Sequence, residues 1–200
     1  MNLHLMIIVA SQRPESASLR CARFLERQAL SSGFTDCDIL DLGKTPLPLW
    51  DTDLDSHEGH WSDMPDLRQR VQAAHAVILV TPEWHGMATP AAKNFLMLCT
   101  QHELGHKAGL LAGVSAADNG VYPIAELRMS GTKNNHLCLI PEQLIFRQVD
   151  SLIDADSLCL DEPFEARSRY TMSLLAHYAR ALTPIRDLPG VPSRSFAFGM

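Results

Sequence analysis

Ala76-Val77-Ile78-Leu79-Val80-Thr81 is apolar up to its last residue and β-branched at Val77, Ile78, Val80 and Thr81. A strand with no polar face must be covered on both sides, which is the condition of a central strand in a parallel sheet. Upstream, residues 3–10 (LHLMIIVA) read as a second strand, and Cys21, Phe24, Leu25 and Ala29 then fall on one helical face. Residues 36–42 alternate like a strand nearer the edge. Downstream, Ala92, Phe95, Leu96 and Cys99 follow the i, i+3, i+4, i+7 spacing of a helix buried along one stripe, with Gly105 as its stop. Residues 108–115 predict a fourth strand, 123–128 the start of a helix, 137–140 a further apolar stretch, and Leu175, Tyr178, Ala179 and Leu182 a last covering helix. Strands alternating with helices imply an open parallel sheet, because parallel neighbours need a crossover and a helix supplies it.

The whole chain agrees with this reading. Two hundred residues, 46% of them apolar and 20% charged, suffice for one real core. No apolar run approaches the ~18 residues of a membrane span. A net charge of −6 offers no field for nucleic acid or anionic lipid, so a bound phosphate needs a local site. Cys21, Cys37, Cys99, Cys138 and Cys159 are odd in number and never form CxxC, so they are expected as reduced thiols. With no basic n-region before residues 3–10, the expected location is the cytoplasm. Two segments leave the strand–helix rhythm. Residues 43–65, with Trp50, His57, His60 and Trp61, form a loop long enough to be functional or mobile, and 184–200 form a tail behind a single domain over 1–183. Asp51, Asp53, Asp55 and Glu58 in that loop read as a solvated acidic cluster.

In an open α/β sheet ligands bind beyond the carboxyl ends of the strands, which selects the loops 11–18, 82–89 and 115–122. The first, Ser11-Gln12-Arg13-Pro14-Glu15-Ser16-Ala17-Ser18, offers hydroxyls, a guanidinium and the N–H groups of a starting helix. Those are the parts of a phosphate cradle, and also of a plain helix cap at Ser16 or Ser18. It is neither GxGxxG nor a P-loop. The second, Pro82-Glu83-Trp84-His85-Gly86, sets a flat aromatic and an imidazole beside a glycine, which suits a planar ligand or a simple exposed turn.

Taken together, Ser11-Gln12-Arg13-Pro14-Glu15-Ser16, then Pro82-Glu83-Trp84-His85-Gly86 running on to Lys93-Asn94, then Ser115 through Asn119-Gly120 to Leu127-Arg128, resemble the NADPH-dependent FMN reductase family of flavodoxin-like proteins over roughly residues 3–150. The resemblance implies a three-layer α/β/α fold with a five-stranded parallel sheet of order 2-1-3-4-5. It implies that Ser11, Arg13, Ser16 and Ser18 hold the FMN phosphate, that Pro82, Glu83, Trp84, His85 and Gly86 line the flavin ring, and that Ser115 and Gly120 approach it from the third loop. It further implies hydride transfer from NADPH or NADH to FMN, and ping-pong delivery to a small acceptor such as a quinone, a flavin or an azo compound. No catalytic side chain is expected, since the flavin carries the chemistry. A homodimer or homotetramer is also implied; the length and aromatic content of the Trp50 to Trp61 loop place it, as an expectation, near a neighbouring subunit's flavin, where it would shape acceptor choice. Ala10, Ser18, Trp84, Met87 and Asn119 depart from the family's usual glycine, asparagine, tyrosine, serine and glycine. An FMN-binding electron carrier or redox-responsive binding protein is the alternative.

A competing motif is His102-Glu103-Leu104-Gly105-His106, a literal HExxH, which as a zinc hydrolase would use His102 and His106 as ligands and Glu103 as base. The third ligand of the longer pattern falls on Ala112, and Gly105 interrupts the helix the motif needs. No metal is expected.

Overall fold

In a computed structural model, which describes residues 1–188, the strands are β1 (His4–Val9), β2 (Asp36–Asp41), β3 (Ala76–Pro82), β4 (Ala108–Val114) and β5 (Cys138–Phe146). They form one five-stranded, all-parallel sheet in the order β2-β1-β3-β4-β5, the order expected from the sequence. The helices are α1 (Ala17–Leu30), α2 (Met64–Ala73), α3 (Pro90–Leu98), α4 (Gln101–Leu104), α5 (Tyr122–Met129), α6 (Val149–Leu152) and α7 (Glu162–Arg186).

Every residue of β3 and β4 is buried, as a doubly covered strand requires. Alternate residues serve opposite cores. Leu5, Ile7 and Val9 pack with Phe24 and Leu25 of α1 and with Met172 and Leu175 of α7. Met6 and Ile8 face Leu67 of α2, Phe95 of α3 and Leu127 of α5. The layers are therefore α/β/α, and strand order reverses between β1 and β3, where the crevice opens.

Four details differ from expectation. The helix predicted through Gly105 ends at Leu98, because Cys99 is extended and Thr100 starts α4 with a capping box closed by Glu103. α2 was invisible because Met64, Leu67 and Val71 are its only buried positions. β5 outlasts its apolar stretch: its register shifts opposite Gly109 and Leu111, and Arg128 secures the irregularity by donating to the carbonyls of Ile140 and Glu142 and to Gln143 Oε1. α7 runs through Pro184 to Arg186, and most of the expected tail, 189–200, lies outside the described residues.

The 43–65 loop is built by hydrogen bonds. Asp51 accepts from the Trp61 indole N–H at 2.8 Å and meets His60 Nε2 at 3.0 Å, while Arg68 reaches Asp55 at 2.9 Å. Asn94 accepts from the Trp50 N–H and donates to the Pro48 carbonyl. Asp51 and Asp55 thus help order the loop, while Asp53, Asp55 and Glu58 are exposed as expected of a solvated cluster. Trp61 is 1% exposed in the chain's own core, which leaves Leu49 and Trp50 facing outward.

Candidate functional site

Where β1 ends, the chain turns through Ser11 and enters α1 at Ser16. Ser16 Oγ accepts from the Leu19 N–H at 3.2 Å, and Ser11 Oγ accepts from the Arg13 N–H at 3.3 Å. Capping and anion binding are compatible here, because each hydroxyl keeps its own proton to donate. Ser11, Ser16 and Ser18 are buried, yet they line a cavity of about 450 Å³ together with Arg13, Pro82 and Trp84. The N–H groups of Ala17 and Ser18, in the first turn of α1, have no carbonyl one turn earlier in the helix to bond. Ala10 replaces glycine without strain, since it lies outside the positive-φ residues.

After β3, Trp84 and Met87 exchange backbone hydrogen bonds of 3.2 and 3.0 Å around His85 (φ 51°) and Gly86 (φ 71°). Two consecutive left-handed residues between paired neighbours make a tight primed turn, in which Gly86 is the unstrained choice. A side chain on Gly86 would meet nothing within 4 Å, so this edge of the loop is open to a flat ligand. The Arg13 guanidinium lies 5.3 Å from the Trp84 ring centroid, a cation–π stack bridging the first loop to the second.

The loops are tied together by polar contacts that no single motif reveals. Glu83 accepts from the Gly120 N–H at 2.6 Å, joining the second loop to the third, and its own N–H continues the ladder to Val114. Thr89, the N-cap of α3, donates its hydroxyl to the Ala10 carbonyl at 2.6 Å. Glu126 accepts from the Ala88 N–H and pairs with Lys93, and these two contacts, Lys93 first, hold its carboxyl below the usual range. Ser115 Oγ accepts from the Ala117 N–H, which shapes the start of the third loop. Gly120 has φ 95°, and a Cβ there would press on Ile145 at 2.8 Å, so the glycine is required on both counts.

All the expected site residues thus gather at the carboxyl ends of β1, β3 and β4. Sequence reasoning missed Gly43, where a Cβ would sit 2.5 Å from the Arg13 carbonyl oxygen. Its position just after β2 was the available signal. Also missed were Arg20 and Asp150, which line the cavity wall and meet at 2.5 Å.

The HExxH segment lies elsewhere. His102, His106 and His75 line a separate cavity of about 550 Å³ with Arg186, beside the amino ends of β3 and β4. α4 stops at Leu104 and His106 is left-handed (φ 56°), so the two histidines do not share a helix. Glu103 accepts from Thr100 N–H and Oγ1, both at 2.7 Å, and is a capping residue. Burial, then Arg186 and Lys107, push His75 below its ordinary value, while burial, His136 and Arg186 do the same to His106. Among the described residues no group of three or more His, Cys, Asp or Glu could hold a metal ion, and the zinc-hydrolase alternative lacks its geometry.

An α/β/α sheet of order 2-1-3-4-5 with its ligand loops at the β1/β3 reversal defines a flavodoxin-like protein. The sequence pattern of the NADPH-dependent FMN reductase family matches residues 3–150, and the chain belongs to that family. Its fold is similar to that of FerB, a flavoenzyme NAD(P)H:(acceptor) oxidoreductase from Paracoccus denitrificans, with 18% identity, a TM-score of 0.75 and coverage of 90% of this chain and 98% of that one. It is similar to the NADH:FMN oxidoreductase EMOB in its apo form at 14% identity and TM-score 0.68, over 100% of both chains. It is likewise similar to an NAD(P)H:quinone oxidoreductase from Methanothermobacter marburgensis at 14% identity and TM-score 0.62, over 88% of this chain and 100% of that one. No described helix is long and apolar enough to cross a membrane.

Proposed function

We propose that this chain is an FMN-dependent oxidoreductase that takes reducing equivalents from NADPH or NADH and passes them to a small acceptor, such as a quinone, a flavin or an azo compound, by a ping-pong sequence. The observation that supports it is the convergence of a hydroxyl- and guanidinium-bearing helix start with an open aromatic turn in one crevice. FMN held there supplies the hydride chemistry, which needs no protein nucleophile. Ser11, Arg13, Ser16 and Ser18 would hold its phosphate through donors that carry or complement positive charge. The backbone from Pro82 to Gly86 would line the ring, with Ser115 and Gly120 on the third loop. In the same reading the chain works in the cytoplasm as a homodimer or homotetramer, supported by the outward Leu49, Trp50, Met97 and Met129.

The decisive measurement is the absorbance spectrum of the purified protein before and after FMN addition, with the flavin identified on denaturation. Stoichiometric FMN, followed by NAD(P)H oxidation dependent on an added quinone, is the expected result. A protein that stays colourless with excess FMN overturns the proposal. A flavoprotein with no NAD(P)H turnover is instead an electron carrier.

A further inference from the structure

Arg20 stands one turn into α1, four residues after the Ser16 cap, on the wall of the cavity that Ser16 and Ser18 also line. Residues four apart share a helix face, so its side chain rises from the same side as the cap. Its Nη2 reaches Asp150 Oδ1 at 2.5 Å. The Nε of the same guanidinium is buried and has no hydrogen-bond partner. An N–H without an acceptor is unfavourable, so a guanidinium released by Asp150 gains by turning this edge towards an anion in the cavity. Asp150 belongs to α6, the short helix after β5, and its side chain is 75% exposed, whereas that of Arg20 is 26% exposed. One partner is therefore fixed in the cavity wall while the other is a solvated carboxylate at its mouth.

We propose that Arg20 is a second guanidinium for the phosphate of the flavin, and that Asp150 competes with that phosphate for it, so that the Arg20–Asp150 pair sets how strongly the site prefers FMN over riboflavin. This rests on the flavin reading given above. Phosphate carries more charge than a carboxylate and can engage two edges of a guanidinium, including the Nε that Asp150 leaves unmet. Asp150 holds one edge of the guanidinium and is the group a phosphate would have to displace. Because Asp150 is 75% exposed, solvent weakens the pair enough for exchange.

The test measures FMN and riboflavin affinity by quenching of flavin fluorescence, using the full-length chain freed of flavin. Arg20→Gln, Asp150→Asn and the double variant are compared. Arg20→Gln should weaken FMN binding about tenfold to a hundredfold, the range for a hydrogen bond to a charged group, with riboflavin unchanged. Asp150→Asn should tighten FMN binding about two- to fivefold, the scale of an exposed ion pair. In the Arg20→Gln background the Asp150→Asn gain should vanish, which separates competition for Arg20 from a general loss of negative charge. Parallel shifts for FMN and riboflavin overturn the inference and leave the flavin reading intact, as does an Asp150→Asn gain that survives without Arg20. Wild-type protein that binds neither flavin overturns both. Should Arg20→Gln fail to fold, Arg20→Lys, which keeps the charge but loses the fork, must still lower the ratio of FMN to riboflavin affinity.

Discussion

Arg13 illustrates how much one side chain can be asked to do. It lines the cavity at the start of α1 and also stacks on Trp84. Replacing Arg13 by Ala removes a charged donor, and the purified protein should lose its flavin; undiminished occupancy would remove Arg13 from the cradle. Trp84→Leu should weaken FMN binding about two- to fivefold, the scale of an exposed cation–π contact, while Trp84→Phe retains part of it. Ser16→Ala should cost about 1 kcal/mol of stability in urea unfolding through the lost cap, in addition to any loss of flavin. The hydroxyls, Arg13 and Trp84 were legible because local spacing along two loops carries them. Gly43, Arg20 and Asp150 were not, because their roles are contacts across the fold: Asp150 is 130 residues from Arg20.

Among the elements, the buried strands read most directly, since continuous apolar runs leave them no other place than a covered sheet. The helix boundaries were harder. Ala92, Phe95, Leu96 and Cys99 keep helical spacing, but Cys99 is extended and buried, so apolar periodicity continued past the end of α3. Thr100 and Glu103 were the true signal of a new start. The 43–65 loop is fixed largely by Asn94, which is 7% exposed and holds Trp50 and Pro48 at 3.0 and 2.8 Å. Asn94→Ala strands these backbone groups, and should cost about 1–3 kcal/mol in chemical unfolding. Limited proteolysis should then cut first near residues 47–51; an unchanged pattern would show that Trp61 and Asp51 alone hold the loop.

At the scale of the molecule, the amino end of the sheet is as distinctive as the carboxyl end. Lys107 is fully buried there, its amino group donating to the Val71 and Gln72 carbonyls, and burial followed by Arg186 pulls its pKa from 10.5 to about 6. Between those values the unfolded chain binds a proton that the folded chain does not, so stability rises with pH. The contribution is fully present above the ordinary lysine range and is lost as pH falls towards 6. The thermal midpoint should therefore climb from pH 6 to 8.5, and Lys107→Met should flatten the climb. An equal slope in the variant would assign the effect to other groups. Above that range the buried thiols of Cys21 and Cys99, raised by desolvation, act with the opposite sign.

The sheet is also a wall. Its two faces feed separate cores, one holding α1, the other holding α2, α3, α5 and the strapped loop. Changes in packing at Leu67 and at Met172 should thus add almost independently, within about 0.5 kcal/mol. The two faces can therefore be repacked separately: a substitution that loosens one core leaves the side chains of the other where they are.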